Sequence, residues 1–263
     1  MAHRPSSQAA RRYPKHTDFL AGFPRISIFG WSCRLMHRRQ EANAAYCFRA
    51  FGNASGEVIT PLFPSGGLNW KSRDENQYFS FEIEYPSVAD PSNALRPHLQ
   101  IEFTATTLSL PPLMRPVSSF IAELTRTGPE ILTVTCIDPV ENAADKLSAL
   151  LWRVPDRVRV PEDDDPDLAR HIHDLAALQP YATAHSEFRR LAIEMIRQDD
   201  DRCAIITGLP LKEKTRILLD MLGKDGEYRM EYTRFVQGMS YAAGGVPTYE
   251  EALAKLKALI DQL

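Results

Sequence analysis

The feature that most constrains this chain is a change of period near Asp138. Before it, apolar and polar residues alternate at every second position; after it, they recur with helical spacing. Tyr78, Ser80, Glu82 and Glu84 alternate with Phe79, Phe81, Ile83 and Tyr85, which predicts a strand with one apolar face. Residues 98–105 predict a second strand, with Leu99, Ile101 and Phe103 on one side and Gln100, Glu102 and Thr104 on the other. Residues 131–137 are apolar and rich in β-branched side chains and predict a third. Residues 117–125 read as a short helix with Ser118 or Ser119 near its start, and residues 25–29 as a short strand in an otherwise weakly patterned beginning.

Asp138 is suited to cap a helix, with Pro139 at its first position and Glu141 where a capping box places an acid. That helix is expected to run to about Arg153 with Ala143, Leu147, Leu150 and Val154 as its apolar stripe. A second helix is predicted over 167–179, ending before Pro180, with Leu168, Ile172, Leu175 and Leu178 inward. Further helices are predicted over 185–198, 211–222, 228–239 and 249–263. The chain is therefore expected to be α+β: an atypical basic segment over 1–67, a sheet region over 68–137 and a helical domain over 138–263.

Charge is unevenly spread. Residues 1–50 hold nine Lys or Arg and two acids, a balance of +7, which leaves −10 on the remainder of a chain whose net charge is −3. An Arg-rich, acid-poor start suits RNA or a transit peptide. No apolar run approaches the roughly 20 residues of a membrane span. Cys33, Cys47, Cys136 and Cys203 form no CxxC pair, so neither a zinc site nor a disulfide framework is expected, and the chain reads as a soluble cytoplasmic protein.

The residues suited to chemistry fall on the first two helices. Lys146 and Arg153 are seven positions apart and share one side of a helix. On the next, Arg170 and Asp174 are four apart, and His171 and Asp174 three apart. If the two helices pack antiparallel, a cation of the first meets Asp174 of the second. Lysine offers a compact charge to phosphate oxygens and aspartate a hard ligand to Mg²⁺. On spacing alone, such pairs equally read as ordinary ion pairs between helices. His171 and His173 point apart and make a poor metal pair; the acidic run 162–165 reads as a solvated loop, and Arg189 and Arg190 as a solvated helix face.

A resemblance adds to this. ADKLSALLWR over 144–153 and ARHIHDLAAL over 169–178 are similar to the KLxAL-type and RHxxDL-type helices of the AbiEii/AbiGii nucleotidyltransferase toxin family. FSFEIEYP, ALRPHLQIEFT, RPVSSFIAEL and VTCIDPVENAADKL precede and overlap them in the family's order, so the resemblance covers residues 79–178. It implies a DNA polymerase β-like nucleotidyltransferase fold with a mixed sheet and flanking helices. It further implies a bacterial toxin–antitoxin or abortive-infection protein that uses Mg²⁺ and an NTP, GTP or ATP, to modify a tRNA-like or other RNA hydroxyl, with a cognate antitoxin as partner. By the same resemblance, Lys146 and Asp174 would be catalytic; Lys146, Arg153, Arg170 and His171 would contact the nucleotide; and Asp174 and Glu102 would be metal ligands.

The family's first motif, a Gly-Gly or Gly-Ser turn followed after a spacer by Asp-x-Asp, is not found. Gly30-Trp31-Ser32 is followed by Cys33-Arg34 and LMHRRQEANAAY, with no Asp among them. Gly66-Gly67 is followed too closely by Asp74-Glu75-Asn76, with Asn where Asp is needed, and Asp18 has neither partner nor glycine pair. One account joins this to the odd composition of residues 1–50: they are replaced or out-of-frame sequence. Two main readings follow, a transferase acting on RNA or a catalytically inactive remnant that binds an antitoxin or RNA.

Overall fold

The computed structural model describes residues 25–28, 31–33, 56–57, 68–73, 78–84, 98–104, 107–160, 164–165, 168–239 and 245–263. Its strands are β1 (Arg25–Ile28), β2 (Trp31–Cys33), β3 (Leu68–Arg73), β4 (Tyr78–Glu84), β5 (His98–Thr104), β6 (Leu113–Val117) and β7 (Ile131–Cys136). Its helices are α1 (Phe120–Thr125), α2 (Pro139–Asp156), α3 (Ala169–Thr183), α4 (Phe188–Gln198), α5 (Leu211–Lys224), α6 (Gly226–Met239) and α7 (Tyr249–Ile260). The α+β class expected from the sequence is present. The finding differs in one respect: where a mixed sheet is implied, every pairing among the described strands is antiparallel.

Five strands form one sheet in the order β2-β1-β5-β4-β3. The alternation of β4 buries Phe79, Phe81 and Ile83, and the register sets them opposite Phe103, Ile101 and Leu99 of β5. Phe81 and Phe103 meet edge to face, with ring centroids 5.7 Å apart, a favoured aromatic geometry. β1 lies on the other side of β5, so the weakly patterned beginning of the chain contributes two strands to this sheet.

β6 and β7 form a separate hairpin, with α1 between them. The helix expected over 117–125 is shorter than predicted: Val117 closes β6, and the Ser119 hydroxyl caps α1 by accepting from Ala122 N–H. Pro116 hides β6 from sequence reading, because proline lacks the ladder donor. It is tolerated here in a strand paired only to β7, where the register shifts between Arg115 and Val117. α1 ends at Arg126, which adopts the left-handed conformation with φ 56°.

Asp138 caps α2 as expected, accepting from Val140 N–H at 2.8 Å. Glu141, however, does not close a capping box. It is 1% exposed and accepts from the backbone N–H groups of Ser109 and Leu110 at 2.9 and 3.0 Å, fastening the segment before β6 to α2. α2 is the axle of the helical half and packs against α3, α4 and α5, while α3 packs against α6 and α7. The predicted stripe of α2 is fully buried, and Leu168, Ile172 and Leu175 meet it in one core. Pro180 does not end α3: one further turn follows, held by buried Ala182 and by Thr183 Oγ1 donating to Gln179 O at 2.9 Å.

Candidate functional site

The facing sides of α2 and α3 collect most of the residues singled out by sequence. Lys146 Nζ donates to Asp174 Oδ2 at 2.7 Å. One turn-pair further along α2, Arg153 Nη1 lies 3.2 Å from His171 Nε2, and Arg153 Nη2 donates to Asp165. The later residue of α2 meets the earlier residue of α3, so the helices run antiparallel, the condition under which the spacing brings cation and carboxylate together. Lys146 is 12% and Asp174 23% exposed, so the pair sits half-sunk rather than free in solvent.

The proton positions follow from the donors. A guanidinium only donates, so His171 Nε2 accepts and the neutral ring carries its proton on Nδ1, which has no hydrogen-bond partner among the described residues. Burial lowers the pKa of His171, and the charges of Lys146, Arg153 and Arg170 lower it further, to about 3. The ring is therefore neutral at physiological pH. Burial works against the carboxylate of Asp174, but the His173 imidazole, 3.5 Å away, and the Lys146 ammonium outweigh it and hold its pKa at about 2. His173 turns away from His171, with its ring 5.5 Å from that of Phe235 and 6.4 Å from that of Tyr232 on α6, which agrees with the divergence expected of residues two apart on a helix.

Glu102 is not part of this constellation. It stands on β5, opposite Ser27 and Ser80, and its Oε1 accepts from Tyr78 O–H and, at 2.9 Å, from Gln100 Nε2. Magnesium prefers several oxygen ligands in octahedral array. Among the described residues, Asp174 is already engaged by an ammonium, and no group of three or more His, Cys, Asp or Glu side chains forms a metal cage. These residues do not fit a magnesium ion by themselves. The positions weighed for the first motif, Asp18, Asp74 and the stretch after Cys33, lie outside the described residues.

Sequence reasoning missed Asp164 and Asp165. Read as part of a solvated run, they are instead partnered: Asp164 accepts from Arg157 Nε at 2.7 Å, and Asp165 from Arg153. Glu162 and Asp163 lie outside the described residues. Arg153, Arg157 and Arg159 ahead of the acidic run signal complementary charge, but not which arginine each acid takes.

Among the described residues, no helix is long and apolar enough to cross a membrane. No curated protein and no solved structure matches the chain. A family model does, that of the nucleotidyl transferase AbiEii toxin of type IV toxin–antitoxin systems, and its match over residues 36–255 takes in β3 to β7, α1 to α6, the first part of α7 and the side chains of the α2–α3 face. The chain belongs to the AbiEii family of nucleotidyl transferase toxins, whose type IV toxin–antitoxin setting implies an antitoxin as partner.

Proposed function

We propose that the α2–α3 face binds the triphosphate of an NTP, GTP or ATP, and that the chain transfers a nucleotide from it to a hydroxyl of a tRNA-like or other RNA. The observation that carries this is the Lys146–Asp174 contact of 2.7 Å with Arg153 on the same side of α2. In such a transfer the hydroxyl oxygen bonds to the α-phosphorus as its proton passes to solvent, and the bond to the departing pyrophosphate breaks. Negative charge grows on the leaving oxygens, and cations held in place beforehand stabilise it without reorganising. Lys146 and Arg153 have that role. Asp174 aims Lys146, and neutral His171 holds Arg153 without adding a second positive charge; Arg170 supplies further positive potential. The Mg²⁺ typical of the family would need further carboxylates beside Asp174 and Glu102, the two ligands that the resemblance implies.

Calorimetric titration with GTP and ATP in Mg²⁺ tests the binding step. Lys146→Ala is expected to weaken binding by about 10- to 100-fold, the worth of a charge-assisted hydrogen bond. Incorporation of labelled nucleotide into RNA, lost in Asp174→Ala, tests the transfer. The missing first motif, a glycine turn followed by Asp-x-Asp, favours a second reading, an inactive remnant that binds antitoxin or RNA. A folded parent chain that binds neither nucleotide would select it.

A further inference from the structure

Arg153 is not an empty phosphate receptor. One arm of its guanidinium meets His171 Nε2 at 3.2 Å, and the other is taken by the carboxylate of Asp165. We propose that Asp165 occupies the place of a ligand phosphate on Arg153, as an intramolecular competitor that a polyphosphate must displace. This rests on the anion-binding reading of the α2–α3 face.

Two neighbouring carboxylates divide the work. Asp164 is bound to Arg157, whose side chain is 3% exposed and forms a forked pair with Glu231 of α6 at 2.8 Å on each arm. Tyr228 of the same helix lies against that guanidinium, 5.1 Å from it. Arg157 is thus buried and multiply bonded, while Asp164 itself is 27% exposed. The Arg153–Asp165 pair is of the other kind, with side chains 35% and 37% exposed and a single arm of contact. Half-exposed pairs are weak and exchange readily with solvent anions. With Asp164 fastened one residue away, Asp165 stays close to Arg153 after release, so it competes at high effective concentration. An anion that carries more charge, and can engage Lys146 as well as Arg153, displaces it; a singly charged one does not.

The test uses the full chain, inorganic tripolyphosphate without added divalent metal, and the arginine reagent phenylglyoxal with peptide mass mapping. Asp165→Asn is expected to bind tripolyphosphate about two- to fivefold more tightly than the parent, the worth of an exposed pair. It should also speed phenylglyoxal labelling of Arg153, while Arg157 labelling stays slow. Asp164→Asn loosens the tether but keeps the competing carboxylate, so it should tighten binding less than Asp165→Asn does. Unchanged Arg153 labelling in Asp165→Asn, or equal or weaker tripolyphosphate binding by a variant whose parent binds, overturns the inference while leaving the nucleotide reading intact. Faster Arg153 labelling with no binding by either form sinks the anion-binding reading and the competition with it.

Discussion

His171 carries the clearest pH signature of any single residue. Its pKa of about 3 in the folded chain lies below the 6.5 of an unperturbed imidazole. Below pH 6.5 the unfolded chain therefore takes up a proton that the folded chain refuses, and stability falls with pH until both forms are protonated near pH 3. Asp174 acts in the same direction in a lower window, because its contribution is present above 3.8 and is lost as pH falls through about 2. Between pH 6.5 and 4.5 the His171 penalty reaches about 3 kcal/mol. The melting temperature of His171→Gln should fall less than that of the parent between those pH values; parallel curves would count against a buried neutral ring. Arg157 makes a separate prediction. Arg157→Met leaves Asp164 without its cation and Glu231 with Arg159 alone, at 2.7 Å, and should cost about 3 kcal/mol in a denaturant titration, the lower end for a broken buried pair. Replacing Glu231 by Met as well should recover part of that loss, which a purely packing role for Arg157 would not permit.

At the scale of the element, α3 is instructive because it runs through a proline. Pro180 removes one backbone bond, yet burial of Ala182 and the Thr183 hydroxyl hold the last turn. A helix interior disfavours proline by about 3 kcal/mol relative to alanine, and the stiffer unfolded chain that proline provides returns up to about 1. Pro180→Ala is thus expected to stabilise the protein by about 1–2 kcal/mol, read as a higher denaturation midpoint; a lower midpoint would mean that the ring itself packs. α7 shows the opposite case, a start legible in four residues. Thr248 accepts from Glu251 N–H at 3.2 Å, and Glu251 answers by accepting from Thr248 N–H at 2.7 Å.

For the whole molecule, the helical half is closed and the β6–α1–β7 unit is not. Leu124 is 84%, Leu132 77% and Ile121 72% exposed, on a hairpin that pairs only with itself. Two-stranded hairpins are marginal alone, and apolar side chains gathered on one invite association. Leu124→Lys combined with Leu132→Lys should reduce concentration-dependent association in sedimentation experiments without lowering the melting temperature. A fall in stability would show that these side chains are covered in the monomer.

Much of this molecule is set by rules that act over a few residues. The period of two wrote β4 and β5, the period of 3.6 wrote the stripes of α2 and α3, and Asp138 with Pro139 marked where one gave way to the other. The Lys146–Asp174 contact was legible too, because helical spacing fixes which side chains share a face and an antiparallel neighbour does the rest. What lay beyond reach depends on which distant segments meet. Glu141 served a remote backbone instead of its own cap, Asp165 closed on Arg153, Asp164 on Arg157, and β1 joined the sheet beside β5. Each of those outcomes is chosen by burial and by closing a loop of chain, terms that no local pattern contains. The tertiary structure alone decided that Arg153 of the candidate site already holds a carboxylate of its own chain.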